Sequence, residues 1–363
     1  MRFAICDLRF ATWAAVAAAL AMCVALPVPA ARGEQAAAVP GAADAGTADS
    51  GPDFIEITPE LRAAVRKGFV YLASIQDEDG SFGASRYGRH VGISSLACLA
   101  YMADGHLPQR GQYGPNVEKG LKFVLNHAQE TGLIAADTSH GPMYGHGFAT
   151  LFLGELYGMT GDQRIREALV KAVRLIVNTQ NAQGVWRYQP LPFDADLSVT
   201  ICEVMALRSA REAGISVPKK TIDRAISYVQ QCQNPADGGF RYMLNSGGSA
   251  FPRSAAGVAS LYYAGVYEGD ALDRGLRYLV TQRERITSQS VGHYFYGHYY
   301  AVQAMHMAGG KYWAEWFPSI REELLRNQQD DGSWTSTHGD AYGTAMALII
   351  LQVPNRYLPI FQR

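Results

Sequence analysis

The sequence predicts an all-α protein, a closed double-layered barrel of six helical hairpins, on three observations. A short phrase recurs four times, as Gln76-x3-Gly80-x-Phe82, Gln180-x3-Gly184-x-Trp186, Gln233-x4-Gly238-x-Phe240 and Gln328-x3-Gly332-x-Trp334, each closing an apolar helical stretch. Outer-helix starts recur near Pro59, Pro115, Asp162, Pro218, Asp270 and Pro318, four of them with proline in a first-turn position. The second helices, such as Phe148 to Met159 and Ala255 to Tyr267, are apolar almost all round, the mark of a helix buried on every side. Six such helices inside six amphipathic ones close into a barrel, because an open solenoid would leave one face of its inner layer polar.

Taken in order, the first outer helix carries one apolar stripe, Leu61, Val65, Phe69 and Leu72. The match between copies extends upstream of the phrase, where Lys67-Gly68-x2-Tyr71, Lys171-Ala172-x2-Leu175 and Arg224-Ala225-x2-Tyr228 each precede their glutamine at the same distance. Within the phrase the glycine permits the backbone reversal that ends an outer helix. The aromatic covers the loop, and the glutamine amide satisfies groups left open at helix ends. These are structural duties, so the phrase makes a poor source of catalytic residues.

Residues 1–30 read as a signal peptide: Arg2 and Arg9 precede an apolar run from Ala11 to Leu26, and Val28-Pro29-Ala30 offers a small-residue cleavage site. Residues 31–54, rich in Ala, Gly and Pro, read as a flexible linker, leaving 55–363 for the barrel. The expected location is therefore exported, periplasmic or secreted, with no transmembrane segment in the mature chain. Lys+Arg number 32 against 33 Asp+Glu, a net charge of −1 without any basic block, which excludes nucleic acid as a partner. Beyond the signal only Cys98, Cys202 and Cys232 remain, with neither disulfide-framework nor zinc-type spacing.

Aligning the inner helices on Ser94, Thr150, Thr200, Gly257, Val302 and Thr344 places His90, His146, Asp196, Arg253, His298 and Asp340 in one column four positions earlier. Every member is ionisable, and the column lies at the rim where six helix N-termini converge. The plain alternative is capping and solvation, since Asp is a favoured N-cap residue, and Arg253 can neutralise Asp196. Tyr144, Tyr296 and Tyr299 add aromatic faces beside the column. Glu155 and Glu203 fall on apolar inner helices, where a carboxylate is either partnered or faces the lumen.

The repeated phrase resembles the QW motif of the squalene/hopene cyclase and protein prenyltransferase superfamily, whose repeats build an (α/α)6 toroid. The resemblance implies one toroid over residues 55–363, with an apolar, aromatic central cavity for an isoprenoid or similar lipid-like small molecule. Class II cyclases protonate an alkene from a D-x-D-D motif. Here Asp194-Ala195-Asp196-Leu197 lacks the third acid, and the paired carboxylates Asp194 and Asp196 are expected to hold one proton between them. On this reading Asp196, assisted by Asp194, His146, His298 and Asp340, forms the acid/base centre, while His90, Tyr144, Arg253, Tyr296 and Tyr299 line the cavity. Prenyltransferases hold zinc with a D-x-C segment, which is absent. A divalent metal can still be drawn from His146, Asp196 and His298, and no organic cofactor is implied. The alternatives are a carbohydrate-active (α/α)6 enzyme using two of Asp196, Asp340 and Glu155, and a non-catalytic toroid interaction module. A deep closed apolar pocket favours lipid, an open groove with exposed tyrosines favours glycan, and a lumen plugged by side chains favours a scaffold.

Overall fold

In the computed structural model, residues 57–83, 87–136, 141–283, 286 and 293–362 are described. The signal peptide and linker read from residues 1–54 lie outside them. Among the described residues there are twelve α-helices and no strand. They are α1 (Pro59–Ile75), α2 (Val91–Met102), α3 (Gly114–Asn126), α4 (Met143–Thr160), α5 (Gln163–Thr179), α6 (Leu197–Glu212), α7 (Lys219–Gln231), α8 (Phe251–Tyr263), α9 (Asp270–Gln282), α10 (Tyr294–Ala308), α11 (Gly310–Asn327) and α12 (Asp340–Gln352).

The even-numbered helices pack side by side in chain order, and α12 returns against α2, so the inner layer is a closed ring. Each odd-numbered helix packs outside it, α3 on α2, α5 between α4 and α6, and α1 on α12. Glycines let inner helices approach closely. A Cβ on Gly145 of α4 would stand 3.1 Å from Val91 of α2, and one on Gly154 would stand 2.4 Å from Ser209 of α6.

The repeated phrase acts as a clasp between neighbouring hairpins. Each glutamine amide donates twice, once to the carbonyl of its own glycine and once into the first turns of the next outer helix. Gln76 reaches Asn116 at 3.0 Å, Gln180 reaches Thr221 at 2.7 Å, and Gln233 reaches Ala271 at 2.7 Å. The glycines hold φ near +90°, at Gly80, Gly184 and Gly332. A Cβ there would collide with a carbonyl of that next helix, for example 2.2 Å from Lys119 O at Gly80. Gly132 repeats this geometry against Lys171 O, with Ile134 in the aromatic's place; this is a copy of the phrase that pattern reading passes over. Trp186 and Trp334 point their indole N–H to Ile176 O and Leu324 O, both at 2.8 Å.

The helices expected from Phe148 and from Ala255 begin earlier, at Met143 and Phe251, and two further boundaries differ from expectation. The last outer helix begins at Gly310 and carries Pro318 in its interior. An interior proline costs about 3 kcal/mol, and the buried stripe Trp313, Trp316, Phe317, Ile320 and Leu324 runs across it and holds the helix together. The stretch Ala255 to Tyr267 ends as helix at Tyr263, and Gly265 at φ +90° turns the chain so that Tyr267 is exposed.

Candidate functional site

The register of the inner helices follows from one repeated hydrogen bond. Ser94, His146, Thr200, Ser254 and Thr344 accept the backbone N–H of Phe82, Ile134, Trp186, Phe240 and Trp334 at 2.8, 3.2, 3.3, 2.8 and 3.0 Å. These five side chains face outward, toward the loops. On a helix of 3.6 residues per turn, the residues two before and two after an outward position face the lumen. The rim row is therefore Gly92, Tyr144, Ser198, Pro252 and Tyr342, and the row beneath it is Leu96, Phe148, Cys202, Ala256 and Met346; Tyr296 and Tyr300 of α10 join these rows through their contacts to Ser198 O and Cys202 Sγ.

This register corrects the predicted column. His90, Asp196 and Asp340 do stand at inner-helix starts, His90 and Asp196 as N-caps. His146 is one turn further on and does the work of Ser94 and Thr200. His298, two residues from the inward Tyr296 and Tyr300, packs outward among Phe251, Tyr294 and Trp316 at ring distances of 5.1, 4.5 and 6.1 Å. Burial lowers the His146 pKa to about 4, with the Ala172 carbonyl opposing, and that of His298 to about 3. Arg253 lies near the Tyr278 phenol of α9, and it makes no ion pair with Asp196 among the described residues. The metal set His146, Asp196 and His298 is not brought together, and no group of three His, Cys, Asp or Glu able to hold a metal ion occurs among the described residues.

Asp196 is the centre of a hydroxyl array. Its Oδ1 accepts from Ser198 N at 2.6 Å, from Ser198 Oγ and from Val199 N at 3.3 Å, and its Oδ2 accepts from Tyr242 OH at 2.6 Å. Tyr242 meets Tyr188 hydroxyl to hydroxyl. Ser198 Oγ meets Tyr144 OH at 2.6 Å, and Ser198 O accepts from Tyr296 OH at 2.8 Å. Four donors thus converge on the Asp196 carboxyl at the N-terminus of α6. Asp194 turns away to Arg187 and to Ala195 N, and these bonds, the Ala195 N–H foremost, hold its carboxyl below the ordinary range. The two carboxyls thus keep separate partners.

Tyr188 and Tyr242 were not among the candidates, yet a signal for them exists: each stands in an aromatic-Arg-Tyr run, Trp186-Arg187-Tyr188 and Phe240-Arg241-Tyr242. Each run straps across to the preceding inner helix, Tyr188 O accepting from Met143 N and Tyr242 O from Leu197 N, both at 3.2 Å. On the far side of the rim His90 caps α2, its Nδ1 accepting from Gly92 N at 3.1 Å. Tyr87, His338 and Tyr342 gather beside it, and Asp340 accepts from Ser336 N at 3.2 Å. Between Tyr188 and Asp194 the loop exposes Leu191 and Phe193.

Beneath the rim the lumen is filled, contrary to the expected apolar cavity. Every residue of the second row is buried. Contacts cross the barrel between helices that are not neighbours in the ring: Phe148 to Tyr299 at 6.1 Å and Cys202 Sγ to Tyr300 OH at 3.2 Å. Tyr299 accordingly sits in the packed interior. Further down, Glu155 faces inward and is partnered by Ser209 Oγ at 2.7 Å and Ile360 N at 3.0 Å. Glu203 is fully buried with neither oxygen hydrogen-bonded, and desolvation drives its pKa well up.

Asp196 and Asp340 start helices on opposite sides of the ring. Six helices at neighbour spacings of about 8–10 Å put opposite axes about 16–20 Å apart. Their carboxyls keep different partners, Asp196 the hydroxyl array and Asp340 the Ser336 N–H.

No family model matches the chain and no curated protein matches it. Among solved structures it is similar to the alpha-1,6-mannanase GH76A of Salegentibacter sp. (TM-score 0.62, 9% identity, covering 80% of this chain and 98% of that one). It is likewise similar to the type II terpene cyclase MstE from Scytonema (0.57, 12%, 83% and 100%) and to a sugar epimerase from a ruminal bacterium (0.57, 16%, 82% and 98%). Identities this low carry the fold alone, and with the closed ring of hairpins they identify the chain as an all-α (α/α)6 toroid.

Proposed function

We propose that this chain is a binding protein that holds a polyhydroxylated, glycan-like ligand on the N-terminal rim of the toroid. The observation that carries the reading is the array of Asp196, Ser198, Tyr144, Tyr188, Tyr242 and Tyr296 on top of a filled lumen. Tyrosine combines a rigid apolar face with a polar tip, and hydroxyls both donate and accept; this combination suits a ring that presents C–H faces and hydroxyl edges. Exposed Phe193 and Leu191 at the edge add apolar area. An exported location, read from residues 1–30, accords with such a ligand, and a relative of the same fold was solved with alpha-1,6-mannotriose.

The isoprenoid reading has its own support in the QW-like phrase and in the likeness to a terpene cyclase solved with geranylgeranyl dihydroxybenzoate. It requires a deep apolar pocket, and the packed second row weighs against it.

Calorimetric titration with a panel of neutral oligosaccharides, alpha-1,6-mannotriose among them, tests the proposal. Binding that weakens about tenfold in Tyr242→Phe, the cost of about one hydrogen bond, is the expected result. No heat from any oligosaccharide at millimolar concentration, together with an isoprenoid co-purifying with the native protein, would sink it.

A further inference from the structure

At the end of the barrel away from the rim, the chain folds back over its own lumen. After α12 the backbone makes a short 3-10 turn, Val353–Asn355, reverses at Arg356 with φ +54°, and makes a second turn, Pro359–Phe361. Leu358, Ile360 and Phe361 are buried, and the second turn packs on α4 and α6. The root of this segment is tied to α2 by amides that do not titrate, Gln352 Nε2 to Ala100 O at 3.0 Å and Asn355 Nδ2 to Ala103 O at 3.2 Å. Its tip is tied by Ile360 N to Glu155 Oε2, a carboxyl that looks into the lumen from α4.

We propose that the C-terminal segment Leu358–Gln362 is a plug that loosens from the barrel floor as pH rises, with Glu155 as the sensing group. The plug keeps water from Glu155, and the groups around that carboxyl do little to stabilise it as an anion. From α6, Ser209 donates one bond, and Arg208 is already engaged by Glu212 and by Tyr262 O while lying over the Tyr263 ring. Glu212 itself opposes a second charge. The phenols of Tyr263 on α8 and Tyr299 on α10 complete the surroundings. Burial is the largest influence and lifts the carboxyl from 4.5 to about 7, against the bonds from Ile360 N and Ser209.

The closed form holds the proton more tightly than a form in which water reaches Glu155. Opening is therefore unaffected below about pH 4.5, is favoured progressively up to about 7, and levels off above it. The full gain in the open population is about 300-fold, the ratio set by a displacement of about 2.5 pH units.

The experiment is amide hydrogen exchange at Ile360, Phe361 and Gln362 in the whole chain, read as protection factors between pH 5 and 8. Protection should fall by up to about 70-fold over that range in the parent, while amides inside α12 keep theirs. In Glu155→Gln, whose amide replaces the protonated carboxyl in shape and bonding, protection should stay level. Parent protection independent of pH, an equal fall in Glu155→Gln, or a parallel fall throughout α12 would each overturn the plug. Should Glu155→Gln not fold, Ser209→Ala offers the second test. Losing a bond that holds the anion should carry the fall in protection on beyond pH 7, and a fall that still levels off at 7 counts against Glu155 as the sensor.

Discussion

The side-chain amide of Gln328 donates to the carbonyl of Ala64, 264 residues earlier in the chain, at 2.9 Å. It is the same clasp that Gln76, Gln180 and Gln233 make to the next outer helix, but here it joins the last hairpin to the first. Gln328→Ala should cost about 1–3 kcal/mol, because two carbonyls in a half-buried seam lose their donor. Urea midpoints compare it with the parent; a difference within error would make the ring closure independent of this clasp.

Gly184 sits at φ +93°, with Arg224 O 2.7 Å from where a Cβ would lie. Both the backbone angle and the collision oppose any side chain, so Gly184→Val should destabilise by about 2–5 kcal/mol. Trp186→Ala, which empties a buried indole site, should cost about 3–5 kcal/mol. Thermal melts that superimpose on the parent would reduce the phrase to decoration.

Glu203 sets a different expectation, since it is buried with no hydrogen-bond partner. An isolated carboxyl in an apolar wall is a cost that a volume-matched apolar side chain removes. Glu203→Met should therefore raise the melting temperature at pH 8 by more than at pH 5, because burial raises the folded-state pKa and the resulting cost grows as pH rises. A lower melting temperature at both values would mean that the carboxyl is satisfied in solution.

Stability should vary with pH as a plateau with two falls. His146 and His298 have folded pKa values lowered from 6.5 to about 4 and about 3, so their contribution is whole above 6.5 and is lost as pH falls. One pH unit of displacement is about 1.4 kcal/mol, hence about 3–5 kcal/mol for each ring. Glu155 and Glu203 are both displaced upward, so their contribution is whole below 4.5 and is lost as pH rises, that of Glu155 through about 7. Between about 4.5 and 6.5 the two trends offset. Denaturation midpoints from pH 3 to 9 should show the plateau, with a shallower acid fall in His298→Met; a steady rise from pH 5 to 9 would contradict it.

The architecture was legible because its clasp is written in three unmistakable letters, a glutamine, a glycine and an aromatic. Where Ile134 replaces the aromatic, the geometry persists and the letters do not. The rim was harder to read for a related reason. The outward hydrogen bond that sets each helix's register is accepted by Ser94, Thr200, Ser254 and Thr344, but also by the ring nitrogen of His146. An alignment on small residues alone shifts that helix by a turn and draws His146 and His298 into a column they do not share with Asp196. Tyr188 and Tyr242 escaped notice because the link to Asp196 is made by Tyr242 from the loop of the next hairpin, a proximity created by the packing of neighbouring hairpins.

The packed rows of the lumen also bear on how such a chain can change in length. Open arrays lengthen by duplicating a unit, because each unit touches only its two neighbours. Here every row takes one side chain from each of six hairpins, and the contacts from Phe148 to Tyr299 and from Cys202 to Tyr300 span the middle. A seventh hairpin would widen the ring and leave an axial hole that no existing side chain reaches, and a fifth-for-sixth deletion would crush the same rows together. The hairpin number is thus held by volume, so diversification in this chain is confined to the loops and to the side chains of the rim.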